Sequence, residues 1–229
     1  MSAKALLVTG ASRGIGRACA LLAGRNGWAV GVNYREDAEA ADAVVEAIAK
    51  SGGRAMALKG DIAVETDVLG LFDAATKALG PLSAVIANAG IVAPTANLAE
   101  MSVERMRRVF EVNVLGAYLT AGEATRRMSK SLGGAGGSIV MMSSAAARLG
   151  SPNLYVDYAG SKGAIDTLTL GLAKELGAEG VRSTPSALGS STPIFTPAEA
   201  RRTAHGFWAP LPQWGAQARP RKSPRRPSG

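Results

Sequence analysis

Tyr158-Ala159-Gly160-Ser161-Lys162 sets a phenol and an ammonium four residues apart. On a helix that spacing puts both groups on one face. An ammonium so placed stabilises phenolate and brings a tyrosine within range of proton transfer near neutral pH. A second cluster, Thr9-Gly10-Ala11-Ser12-Arg13-Gly14-Ile15-Gly16, spaces three glycines as a dinucleotide phosphate cradle does. Gly10 and Gly14 permit a tight turn and close backbone approach, and Gly16 lets the following helix pack on the sheet. The N-terminus of that helix then offers N–H groups to a pyrophosphate.

The elements that must carry these residues are legible from periodicity. Residues 5–8 form a short apolar strand running straight into the glycine turn and then a helix. Strands are expected at 28–33, 54–59, 82–87 and 138–142, with a sixth opening at Val181. Helices are expected at 37–50, through Val68, Leu71, Phe72, Ala75 and Leu79, along one long stretch after the N-cap candidate Ser102 towards Met128, and at about 155–176. Strands alternating with helices of this length predict an α/β fold, a doubly wound parallel sheet covered on both faces. Ser143-Ser144 then ends the fifth strand, at the carboxyl edge where such sheets bind ligands.

The chain has 229 residues, is 47% hydrophobic and carries a formal net charge of +8, enough to bury one core. The charge is uneven. Residues 183–229 hold seven basic side chains and one acidic, so residues 1–182 are nearly balanced and no nucleic-acid partner is expected for the folded part. The apolar start is too short for a signal peptide or a membrane span, which predicts a soluble, cytoplasmic protein with no membrane partner. Cys19 is the single cysteine, read as a core residue, so no internal disulfide forms. No His/Cys/Asp/Glu spacing suggests a metal site, the lone His205 has no assigned role, and Met101, Met106, Met141 and Met142 read as core filler.

Taken together, the Thr9 to Gly16 turn, Asp61 after the third strand, Asn88-Ala89-Gly90, Asn113, Ser144 and the Tyr158/Lys162 pair resemble the short-chain dehydrogenase/reductases over residues 3–182. The likeness is to ketoacyl-reductase-like and glucose-dehydrogenase-like members. The resemblance implies a hydride-transferring oxidoreductase acting on a small carbonyl or alcohol. Tyr158 would be general acid or base, and Lys162 would favour its phenolate form and hold the nicotinamide ribose. Ser144 would bond the substrate oxygen, and Asn113 would support a proton relay through Lys162. Gly10, Ser12, Arg13, Gly14, Ile15, Gly16, Asn33, Tyr34, Arg35, Asp61, Ile62, Asn88, Ala89 and Gly90 would form the cofactor groove, with Asp61 at the adenine. A homo-oligomer is expected of an intact family member and is doubtful for this chain.

Charge argues for the cofactor. Where an acidic residue after the second strand would bind a ribose 2′-hydroxyl, this chain has Asn33-Tyr34-Arg35, with Arg13 in the glycine turn. Two guanidinium groups suit a 2′-phosphate, so NADP(H) is preferred over NAD(H), although Glu36 and Asp37 stand nearby. The substrate end would be built from 93–97 and 149–155, segments without a charge pattern that names a ligand. Arg148 and Asp157 beside it read as solvated surface residues.

The resemblance stops at Arg182. Residues 183–229 hold eight of the eleven prolines, no valine and one isoleucine, and read as a disordered tail that supplies no buried strand. The domain reading is therefore 1–182 catalytic and 183–229 aberrant, with a sheet lacking its last strand. A one-nucleotide shift just after the Arg182 codon accounts for this. Codons for Val-Asn-Ala-Val-Arg-Pro-Gly, read one base out of frame, spell residues 183–189 as they stand. The expectation is an oxidoreductase, or alternatively a catalytically impaired dinucleotide-binding remnant.

Overall fold

The computed structural model describes residues 4–188, with side chains to 186. Six parallel strands form one sheet in the order β3-β2-β1-β4-β5-β6: β1 (Ala5–Val8), β2 (Ala29–Tyr34), β3 (Arg54–Lys59), β4 (Leu82–Ala87), β5 (Gly137–Ser144) and β6 (Val181–Leu188). The order reverses between β1 and β4, the topological switch point where ligands bind such sheets. The helices α1 (Gly14–Arg25), α2 (Ala38–Lys50), α3 (Glu65–Leu79), α4 (Val103–Phe110), α5 (Gly116–Met128), α6 (Ala146–Leu149) and α7 (Val156–Glu175) complete it.

β1 is buried along its whole length and β4 at every position but Ser83, as parallel strands covered on both faces should be. One large cluster, including Leu7, Phe72, Val85, Ile139 and Ile165, joins β1, β4 and β5 to α3, α5 and α7. Gly24 packs on the side chain of Ile48, bringing α1 close to α2. Cys19 lies in this interior, and burial pushes its thiol up.

Two expectations are corrected. The helix after Ser102 is not uniform: α4 and α5 are joined by a π-helical turn, Glu111–Leu115, which carries Asn113. Such turns interrupt a helix without breaking it and often mark functional positions. The segment after Arg182 does supply strand. β6 pairs with β5 from Gly137↔Val181 to Ser144↔Leu188, and Ser183 is buried. Among the described strands β6 is an edge, where the missing N–H of Pro185 is tolerated and pairing to β5 outweighs poor strand composition. The rest of the expected tail, and whether the sheet continues past β6, lies outside the described residues.

Candidate active site

An open groove of about 480 Å³ runs along the carboxyl edge of the sheet across the switch point. Gly10, Ser12, Arg13, Gly14, Ile15, Asn33, Tyr34 and Arg35 line it from β1, β2 and their turns. Asp61, Ile62, Asn88, Ala89, Gly90, Ser144, Tyr158 and Lys162 complete it from β3, β4, β5 and α7. Gly16 and Asn113 stand behind the wall and shape it. Glu36, Asp37 and Ser143, which the sequence sets beside the site, also line the groove, as do Gly60, Ile91, Val92, Val112 and Met142, which carry no local signal for it.

The turn after β1 is built by close approach. Gly10 takes φ +61° and lies where a methyl would come within 2.9 Å of the Ala89 Cα. A methyl on Gly16 would strike the Gly10 carbonyl and come 2.5 Å from Asn88 Nδ2. Asn88 fastens the turn: its Nδ2 donates to the carbonyls of Thr9 (2.8 Å) and Gly10 (3.1 Å), while Thr9 Oγ1 accepts from the N–H groups of Asn88 and Ala89. Asn33 is equally committed to the scaffold. Its Oδ1 accepts from the Gly10 N–H, and its Nδ2 donates to the carbonyls of Leu58 and Gly60. The start of α1 has no side-chain cap and its residues Gly14 and Ile15 line the groove, so its first N–H groups remain available to an anion there.

At the other end, Lys162 is 4% exposed and its Nζ donates to the Met142 carbonyl at 2.7 Å. The ammonium lies 5.6 Å from the Tyr158 ring centroid. Burial lowers Lys162 to about 8, with Asp166 acting weakly in the opposite sense. Tyr158 is half-buried, and Tyr155 meets it edge-on at 5.9 Å. Ser144 Oγ accepts from the Ala146 N–H, which leaves the hydroxyl proton to donate elsewhere.

Asn113 is 1% exposed and joins two walls. Its amide pairs with both the N–H and the carbonyl of Ile91 and donates to Ser161 Oγ. Gly90 abuts the same group: a methyl there would sit 3.2 Å from Asn113 Oδ1 and 3.6 Å from Lys162 Nζ. The π-helical turn thus brings Asn113, Gly90 and Lys162 together.

Asp157 is not a solvated surface residue. Its side chain is 1% exposed and forms a two-pronged pair with Arg105, at 2.9 and 3.3 Å. Arg105 also donates to the Pro94 carbonyl, and Asp157 accepts the Tyr158 N–H at 2.9 Å. One guanidinium therefore ties α4 to the first turn of α7 and to the loop after β4. Burial opposes the charge on Asp157, but Arg105 and the Tyr158 N–H outweigh it and hold the carboxyl below its ordinary range. Arg148 is exposed.

The sequence profile of the family described as short chain dehydrogenase matches residues 4–201. This chain belongs to the short-chain dehydrogenase/reductase family. The uncharacterized oxidoreductase YgfF of Escherichia coli is 49% identical over 176 residues, 77% of this chain and 71% of that protein. The trihydroxynaphthalene reductase PfmaI of Pestalotiopsis fici is 37% identical over 177 residues, 77% of this chain but only 61% of that protein. Among solved structures, a short-chain type dehydrogenase/reductase from Mycobacterium marinum superimposes with a TM-score of 0.75 at 34% identity, covering 80% of this chain and 73% of that one. Among the described residues, no helix is long and apolar enough to cross a membrane.

The family implies a nicotinamide dinucleotide, and the residues present fit one. The uncapped α1 terminus, a turn that only glycine fits at Gly10 and Gly16, and a groove long enough to reach from Arg35 to Tyr158 are the features such a ligand requires.

Proposed function

We propose that this short-chain family oxidoreductase interconverts a carbonyl and an alcohol using NADP(H), with Tyr158 as general acid and base. The observation that carries this is the buried Lys162 ammonium, anchored on the Met142 carbonyl and facing the Tyr158 ring at the end of the groove. Bound nicotinamide supplies or accepts the hydride. Tyr158 delivers its phenolic proton to the substrate oxygen, and Lys162 favours the phenolate left behind. Ser144 donates its hydroxyl proton to the same oxygen and holds the carbonyl in place. Asn113 fixes Ile91 beside Gly90 and supports the return of a proton through Lys162. Arg13 and Arg35 line the opposite end, the basis for preferring NADP(H) to NAD(H). Relatives named as reductases support the carbonyl-reducing direction.

One observation favours a second reading, a dinucleotide-binding remnant with impaired turnover. The Ser183 hydroxyl, buried in β6, has no hydrogen-bond partner among the described residues, so that strand carries a residue unsuited to its place. A frame shift after Arg182 would account for the misfit, since the family pattern that the resemblance implies here begins with valine. NADPH consumption by the purified full chain against a panel of ketones, quinones and ketoacyl thioesters separates the two. Turnover supports the enzyme, and tight NADPH binding without turnover supports the remnant. The nucleotide sequence across codons 175–229 tests the frame shift directly.

A further inference from the structure

A chain of alternating charges crosses the adenine-proximal rim of the groove. Glu36 pairs with Arg35, Arg35 reaches Asp61 at 3.7 Å, Asp61 pairs with Arg108 at 3.2 Å, and Arg108 reaches Glu111 at 3.9 Å. Arg108 comes from α4, 47 residues from Asp61 in sequence, and does not itself line the groove. Both guanidiniums address the same oxygen, Oδ2, while Oδ1 accepts the Ala63 N–H. Asp61 is therefore shared between a cation at the groove and a cation behind it.

We propose that Arg108 is a specificity-determining residue for the cofactor, holding Asp61 compensated so that Arg35 can turn to a ribose 2′-phosphate. The inference rests on the NADP(H) reading above. To meet a phosphate, Arg35 must leave Asp61. The carboxylate is only 22% exposed, so stranding it without a cation beside an incoming dianion is costly. Arg108, already the nearer partner, removes that cost. NADH lacks the 2′-phosphate and makes no such demand on Arg35, so Arg108 acts on the difference between the two cofactors. It makes no contact with either, so its action passes through Asp61.

Equilibrium binding of NADPH and NADH to the full chain, followed by calorimetry without any substrate, tests this. Arg108→Gln should raise the NADPH Kd about tenfold, or about 1.4 kcal/mol, while the NADH Kd changes by less than about twofold. Arg108→Lys keeps the charge and should hold NADPH affinity within about threefold of the wild type. In an Asp61→Asn background, where no carboxylate needs compensating, Arg108→Gln should move the NADPH/NADH ratio by less than about twofold. A wild-type chain without NADPH preference overturns the NADP(H) reading and this inference with it. A wild-type preference that Arg108→Gln leaves intact, or an equal loss of both cofactors, overturns the role of Arg108 alone.

Discussion

Replacing Arg105 by methionine should destabilise the protein out of proportion to a change at a partly exposed helix position. The side chain is 14% exposed and the Asp157 side chain 1%, so the pair is withdrawn from water. Arg105→Met deletes two charge-assisted bonds to Asp157 and one to the Pro94 carbonyl, and leaves a buried carboxylate with backbone N–H groups alone, those of Tyr158 and of Asp157 itself. Breaking a buried pair from one side costs about 3–5 kcal/mol, which for a chain of this size is on the order of 10 °C in Tm. Because Asp157 titrates below its ordinary range in the folded protein, the contribution of the pair is fully present at neutral pH and is lost only as pH falls through that lowered value. The gap between wild type and variant should therefore narrow in acid, as Asp157 in the variant takes up a proton. Urea denaturation followed by far-ultraviolet circular dichroism at pH 7.5 and in steps below about pH 4, where Asp157 begins to take up its proton, measures both effects. Arg105→Met/Asp157→Leu should recover part of the loss, because the unpaired charge is gone. A single variant within about 1 kcal/mol of wild type would refute the reasoning, since it would mean that the pair is effectively solvated.

Lys162 and Ser183 give two further stability predictions. Burial lowers Lys162 to about 8 in the folded protein against 10.5 for a hydrated lysine, so between these limits the unfolded chain binds more protons and stability rises with pH. Wild type should accordingly gain about 3 kcal/mol relative to Lys162→Met between pH 8 and pH 10.5, read from paired denaturation curves; parallel curves would show that Lys162 is hydrated. Ser183→Val should stabilise the chain by about 1 kcal/mol, since it removes a buried hydroxyl that has no partner among the described residues and suits a strand; a loss of stability would show that the hydroxyl is satisfied.

Local signals made much of this structure legible. β3 and β4 fall on the residues the sequence predicts, because Gly52-Gly53, Gly60 and Gly80-Pro81 punctuate them. The groove residues were legible for a related reason: the glycine turn, Asn88-Ala89-Gly90 and Tyr158/Lys162 sit at strand ends or at helical spacing. The π-helical turn was not, because it leaves the helical pattern of 103–128 continuous and adds no glycine or proline. Arg105 and Arg108 were missed because their partners lie 52 and 47 residues away, beyond any local spacing rule. Asp157 did carry a signal, an acidic side chain in the first turn of a helix, where the dipole and exposed N–H groups favour it. Composition misjudged residues 183–188, since pairing along β5 decides that strand more than its own propensity.

The central claim is that Tyr158 moves the proton while the rest of the groove binds the dinucleotide. Tyr158→Phe tests it most directly, through NADPH Kd and turnover measured on the same preparation with the best carbonyl substrate of the panel. The Kd should stay within about twofold of wild type while kcat falls at least about 100-fold. Turnover retained within about threefold, with binding intact, would contradict it and remove Tyr158 from the chemistry.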